Sequence, residues 1–124
     1  MTVAFFSDVH GNRLALEAVL ADANADVRLF GHIHKPYHQA FAYEPEGETR
    51  YRHALNIGSA GKPEDGDPRA AYQLLHLDEN TTLTDPNNVR SELIRVEYNG
   101  EKAAQAVEAS PLPNGCADML RNAY

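Results

Sequence analysis

The sequence predicts one α/β domain that opens with a βαβ unit, continues with mostly antiparallel strands and ends with a helix. Three observations lead to this class: two short apolar runs flank a segment with helical apolar spacing, strand-like runs separated by turn residues follow, and an alanine-rich segment lies near the end. A length of 124 residues is usual for a single domain. We therefore expect residues 1–124 to form one domain.

The βαβ unit is predicted from the first quarter of the chain. Residues 2–7, TVAFFS, are an apolar and β-branched run, typical of a central strand buried on both faces. Asn12 can cap a helix from about Arg13 to about Ala23, because the apolar residues of this segment recur at helical spacing. The second strand is VRLFG at 27–31.

The two strands of such a unit are parallel and joined by a right-handed crossover. The segments that follow them, 7–11 and 31–35, should therefore meet at one edge of the sheet, where ligands of open α/β sheets usually bind. Gly11 and Gly31 allow the backbone to turn sharply where each strand becomes a loop.

The remaining chain alternates strand-like runs with turns. We expect strands in the runs 37–43, 49–58, 70–78 and 91–98. The polar segment EPEGE joins the first two as a hairpin, and a glycine- and proline-rich loop leads to the third. The alanine-rich helix is predicted from Glu101 to Ser110, with a last turn or two from Cys116 to Tyr124.

Composition excludes several classes of function. A formal charge of −7, with eleven basic residues scattered along the chain, argues against binding to a nucleic-acid backbone. Cys116 has no second cysteine with which to form a disulfide or a thiolate metal site, which fits the cytoplasm. We expect neither a secretory leader nor a membrane span, since Asp8 interrupts the apolar run near the start.

Four potential metal ligands follow the two strands of the βαβ unit. Asp8 and His10 come after the first strand, and His32 and His34 repeat the same spacing after the second. Side chains two residues apart point to the same side of an extended chain, so all four are expected to converge at one edge. Carboxylate and imidazole donors together favour zinc, manganese or iron over calcium or magnesium.

A plainer interpretation stands beside the metal site. An Asp-x-His triplet after a strand is more often a turn carboxylate with a surface histidine. The two pairs in one βαβ unit favour a metal site, whereas either pair alone leaves both interpretations open.

Three segments carry a resemblance to a known family. FFSDVHGNRLALEAVL resembles the opening of the calcineurin-like metallophosphoesterases, and GHIHKPY resembles their closing G-H-x-H motif. NIGSAGKPEDGDPRAAYQLLHLD is similar to the segment that follows in a bacterial phosphodiesterase-like subgroup. The resemblance implies a four-layer α-β-β-α sandwich, of which this chain would be a remnant.

The resemblance also implies a metal-dependent phosphoester hydrolase with two divalent transition metals such as Mn, Fe, Zn or Ni. Asp8 and His10 would bind the first metal together with His34, and His32 would bind the second. In the family, the two metals share a bridging aspartate and hold a hydroxide that attacks phosphorus. Phosphodiesters or phosphomonoesters, including nucleotides, would be the substrates.

The family's central motifs have no counterpart here, and the corresponding segment is expected to be missing between about 23 and 27. Asp22, Asn24 and Asp26 occupy this stretch. They are predicted to lie away from the metal edge, the edge of the sheet at which the four potential ligands are expected. The chain should then hold one metal at most, hydrolyse weakly or not at all, and associate with itself through exposed strand edges. The alternative function is a truncated, non-catalytic relative that serves as an interaction module or is inert.

Residues of the glycine-rich loop have a structural and a functional interpretation. Asp65 and Asp67 are typical of a solvated turn, and the alternative is that they replace a missing metal carboxylate. Gly58, Ser59 and Gly61 are typical of a strand-to-loop turn, and the alternative is a phosphate-binding set of amides. Ordinary surface or half-buried positions are expected for the other histidines, His38, His53 and His76.

Overall fold

The structure, a computed structural model, describes residues 1–8, 10 and 12–124. In these residues the chain forms, in order, β1 (Val3–Phe6), α1 (Arg13–Ala23), β2 (Val27–Phe30), β3 (Tyr37–Tyr43), β4 (Arg50–Asn56), β5 (Ala70–His76), β6 (Arg90–Val96), α2 (Gly100–Glu108) and α3 (Gly115–Asn122). The mixed α/β class predicted from the sequence is confirmed. Gly11, at which a sharp turn was predicted, lies outside the described residues.

The strands form two sheets. The larger has the order β1-β2-β4-β3, in which β1 pairs parallel to β2, β2 pairs parallel to β4, and β3 pairs antiparallel to β4. The smaller consists of β5 and β6 in antiparallel pairing. The βαβ unit and both antiparallel pairs follow the sequence prediction, and Asn12 caps α1 by accepting a 3.1 Å hydrogen bond from the Ala15 amide.

The prediction that the first strand is central and buried on both faces is wrong. Among the described residues, β1 pairs only with β2 and forms an edge of the larger sheet. Phe5 is 74% exposed as a result. The neighbour of β2 on its other side is β4, a strand from much later in the chain. Apolar content shows that a strand suits burial, but pairing between distant strands decides whether it is buried.

The hydrophobic core lies between the two sheets. Its buried members are Val27, Leu29, Leu55, Leu83 and Val89, and Val3 and Leu75 pack against them. Alternate residues of β2 and β4 point to this face because side chains alternate along a strand. Leu83 and Val89 belong to the connection between β5 and β6, and the Leu83 carbonyl accepts a 2.7 Å hydrogen bond from the Tyr51 amide. This connection therefore closes the core.

Side-chain contacts link two histidines of the larger sheet to each other and to β6. His38 Nε2 lies 2.9 Å from His53 Nδ1, and His38 Nδ1 lies 3.0 Å from the Ser91 hydroxyl oxygen. The expectation of an ordinary or half-buried histidine is wrong for His53, which is only 1% exposed. Burial lowers the pKa of both histidines, and the charge of His38 lowers that of His53 further.

We expect the free energy of unfolding to fall as the pH is lowered from 7.5 to 5.5. The folded pKa values of His38 and His53 lie below 6.5, so below that pH the unfolded chain binds more protons than the folded chain. Each histidine can contribute at most about 1.4 kcal/mol per pH unit. Urea unfolding followed by circular dichroism measures this slope. A His38→Gln variant should show a shallower slope, and an unchanged slope would contradict the assignment.

The opposite face of the larger sheet is only partly covered by α1. Leu16 and Leu20 of α1 and the aromatic residues Phe30, Tyr37 and Phe41 line an open apolar groove of about 490 Å³. The groove ends beside the loop that follows β2. Within the part of the chain that the structure describes, none of the helices has the length and apolar character needed to cross a bilayer.

Candidate metal centre

The candidate ligands lie where two parallel strands end. Asp8 and His10 follow β1, which ends at Phe6, and His32 and His34 follow β2, which ends at Phe30. Since β1 and β2 are parallel and in register, these segments share the carboxyl edge of the sheet. The predicted location of the site is therefore present in the fold.

Three of the four candidate ligands come together. Asp8, His10 and His32 each offer one donor atom, and these atoms lie within 4.8 Å of one another. His32 Nδ1 is 3.7 Å from Asp8 Oδ1, and the rings of His10 and His32 have centroids 4.6 Å apart. All three side chains are exposed, so the cluster is open to a ligand from solution.

The backbone of this cluster is not extended. The sequence prediction of converging side chains requires an extended backbone at these residues. Asp8, His10 and His32 have φ values of 55°, 47° and 80°, in the left-handed region that non-glycine residues rarely adopt. Such residues cost free energy and concentrate at functional sites. Both strands end before the ligands begin, so the rule that residues two apart share a side does not hold here.

His32 and His34 consequently diverge. The family resemblance implied a grouping of His34 with Asp8 and His10, whereas in the structure His32 lies with them. His34 instead lies beside Glu64, with 3.2 Å between Nδ1 and Oε1. Nδ1 is shielded from solvent. It lies close to Oε1, but the two atoms are not aligned as in a good hydrogen bond.

Glu64 was not predicted to be a site residue. It lies in the glycine-rich loop, for which the sequence favours a solvated turn. Its amide donates a 3.0 Å hydrogen bond to the His34 carbonyl, and its Oε1 accepts a 2.8 Å hydrogen bond from Lys62 Nζ. This hydrogen bond from Lys62 is the main cause that holds the pKa of Glu64 below its ordinary value. Thirty residues separate Glu64 from His34 in sequence, so local patterns carry no signal for the contact.

The turn after β4 brings this loop to the metal edge. The Asn56 side chain accepts a 2.8 Å hydrogen bond from the Gly58 amide, and the Ser59 hydroxyl accepts one of 3.0 Å from the Lys62 amide. Gly58 has a φ of 73° and lies so close to Pro36 that a Cβ would approach it to 3.2 Å. The strand-to-loop turn is present, and the Gly58 amide is engaged within it.

The two aspartates of the loop are occupied elsewhere. Asp65 pairs with Arg95, and Asp67 pairs with Arg69, whose hydrogen bonds lower the pKa of Asp67 to about 2. The alternative in which Asp65 or Asp67 replaces a missing metal carboxylate therefore has no support in this geometry. These ion pairs tie the loop to the smaller sheet, since Arg95 lies in β6.

Acidic and amide residues between α1 and β2 lie at the opposite edge. Asp26 accepts a 2.7 Å hydrogen bond from the Thr2 amide, and Asn24 accepts one of 2.9 Å from Arg52. Both precede β2, whereas the ligand cluster follows it. Neither residue can supply the metal edge with a further donor, as the sequence predicted.

The donor set fits a divalent transition metal. One carboxylate oxygen and two imidazole nitrogens are the ligand types of open zinc sites, where three protein donors leave a position for water. Two donors that each lie about 2.1 Å from one tetrahedral ion are about 3.4 Å apart. The observed 3.7 Å between His32 Nδ1 and Asp8 Oδ1 is close to that value.

Comparison with solved structures identifies the type of fold. Neither a family model nor a curated protein matches the sequence. The crystal structure of a metallophosphoesterase from Sphaerobacter thermophilus is similar, with a TM-score of 0.60 and 21% identity over 88% of this chain and 48% of that one. The chain has a partial metallophosphoesterase fold. It spans about half the length of that structure.

Two further similar structures match less closely. A predicted phosphoesterase from Streptococcus pneumoniae has a TM-score of 0.42 and 19% identity, covering 71% of this chain and 42% of that one. Vps29 from Entamoeba histolytica, solved with Zn²⁺, has a TM-score of 0.33 and 26% identity, covering 68% and 47%.

Proposed function

We propose that this chain binds a divalent transition metal through Asp8, His10 and His32, with His34 as a further ligand, and acts as a phosphoester hydrolase of the calcineurin-like class. One observation carries the proposal. The donor atoms of the first three residues lie within 4.8 Å of one another at the carboxyl edge of a partial metallophosphoesterase fold. This edge is the usual location of ligand-binding sites in open α/β sheets.

Metal identity follows from donor chemistry. Imidazole suits zinc, nickel and iron, and a carboxylate extends the range to manganese, whereas calcium and magnesium prefer oxygen alone. The left-handed backbone at these three residues supports a functional role, because costly backbone conformations of this kind cluster at active sites and ligand sites.

The mechanism assigns a task to each side chain. A bound ion would supply a water of lowered pKa and neutralise charge on the phosphoryl oxygens. Asp8, His10 and His32 would hold that ion at an open surface, which admits a phosphomonoester, a phosphodiester or a nucleotide. Within the described residues, Asp8 is the one carboxylate of the three-donor cluster, and Glu64 accepts from Lys62 instead of bridging two ions, so we expect one metal and slow turnover.

A second candidate function is a truncated, non-catalytic relative that binds at most one metal and serves as an interaction module or is inert. The open groove beside α1 and the exposed edge of β1 favour it, because an apolar face and an unpaired strand invite association. The same features support the proposal that copies of this chain associate through strand edges.

Metal content and hydrolysis separate the two candidates. We expect about one manganese or zinc ion per chain and measurable hydrolysis of an aryl phosphodiester that is lost in a His10→Ala variant. The matched control is His76→Ala, which removes a histidine that faces Glu92, outside the cluster. One ion per chain without hydrolysis, or no bound ion, would contradict the hydrolase and favour the non-catalytic relative.

A further inference from the structure

We propose that Glu64 is a positioning residue: it holds the single proton of neutral His34 on Nδ1, which leaves Nε2 free to bind the metal. The inference rests on the proposed function and names a residue beyond the ligands themselves. It starts from the 3.2 Å approach of Glu64 Oε1 to His34 Nδ1, a solvent-shielded atom for which this contact is of ion-pair length but is not aligned as a hydrogen bond.

Glu64 is fixed at this place by two other contacts. Its amide donates to the His34 carbonyl at 3.0 Å, so the backbones of the two residues are joined directly. Lys62 Nζ donates to the same Oε1 at 2.8 Å. The side chains of His34, Lys62 and Glu64 are only 30%, 36% and 32% exposed, so the three groups form a half-buried row with Glu64 between the other two.

The chemistry of the pair decides the tautomer. An ionised carboxylate can only accept hydrogen bonds, and a neutral imidazole carries one N–H. A carboxylate next to Nδ1 therefore favours the proton on that nitrogen, and Nε2 keeps the lone pair that a metal needs. Residues that orient a ligand histidine in this way contribute about 10- to 100-fold to metal affinity.

Glu64 is better suited to this role than to that of a ligand. Its Oε1 already accepts from the Lys62 ammonium, and a metal ion at the same oxygen would meet that positive charge at short range. Asp65 and Asp67, the neighbouring acids, are paired with arginines and point to the smaller sheet. Glu64 is thus the acid of this loop that reaches the metal edge through a histidine.

The test uses Glu64→Gln in the full chain, with ¹⁵N-detected NMR of the imidazoles at one constant pH near 7.5. In the metal-free wild type we expect His34 as the Nδ1–H tautomer. A neutral glutamine amide accepts more weakly than a carboxylate, so the variant should shift His34 towards the Nε2–H tautomer. Zn²⁺ affinity, measured by titration calorimetry, should fall about 10- to 100-fold.

The matched control is Glu92→Gln, which removes a carboxylate 3.4 Å from a different histidine, His76 Nε2. It should leave both the His34 spectrum and the Zn²⁺ affinity unchanged. A second variant, Glu64→Asp, keeps the charge but shortens the reach, and it should change the tautomer as Glu64→Gln does. This variant separates contact from charge.

The outcomes are distinguishable. If the wild type binds Zn²⁺ but Glu64→Gln changes neither the His34 tautomer nor the affinity, the inference about Glu64 is overturned and the proposed metal site stands. If the wild type binds no Zn²⁺, the proposed function fails and the role of Glu64 in metal binding fails with it. A changed tautomer together with weakened Zn²⁺ binding supports both.

Discussion

A His32→Ala variant is expected to bind Zn²⁺ or Mn²⁺ about 100-fold more weakly than the wild type. His32 is one of the three residues whose donor atoms lie within 4.8 Å of one another. Four-ligand zinc sites bind with roughly 10–16 kcal/mol, which corresponds to about 3 kcal/mol for each ligand. A loss of that size is on the order of 100-fold in the dissociation constant.

This variant also tests a difference between sequence and structure. The family resemblance places His34 with Asp8 and His10 and assigns His32 to a second metal, whereas the structure gathers His32 with them. Calorimetric titration of His32→Ala and His76→Ala under one buffer condition provides the measurement and its control. An affinity that is unchanged in His32→Ala would show that the exposed cluster is not the metal site.

Replacing Leu55 by alanine is expected to lower the free energy of unfolding by about 3 kcal/mol. Leu55 is fully buried in β4, the strand that pairs with both β2 and β3, and it belongs to the cluster between the two sheets. Truncation of a buried leucine to alanine costs about 2–5 kcal/mol through lost burial and the cavity left behind. Small domains have only about 5–15 kcal/mol in total, so a large share of the stability would disappear.

Urea unfolding followed by circular dichroism measures this loss, with Leu112→Ala as the matched control. Leu112 is 55% exposed in the segment between α2 and α3, so its truncation should change the free energy by less than about 0.5 kcal/mol. Equal effects of the two substitutions would contradict the position of the core. Metal binding by folded Leu55→Ala should be retained, because the ligands lie in loops beyond the strand ends.

Much of the fold follows from short-range patterns. The apolar run at 27–30, the Asn12 cap of α1 and the turn residues between β3 and β4 each act on neighbouring residues, and each prediction is confirmed. The location of Asp8 and His32 at one edge also follows, since it requires only two parallel strands with a helix between them. The sequence by itself thus determined the elements and the edge at which the candidate ligands lie.

Tertiary structure decided which residues meet. β1 became an edge strand because β4 pairs on the far side of β2, and His53 became buried because β4 lies between β2 and β3 in the larger sheet. Left-handed backbone after both strands turned His32 towards Asp8 and left His34 beside Glu64. These contacts join residues that are tens of positions apart, or depend on φ values that apolar periodicity does not encode, so only the folded chain could establish them.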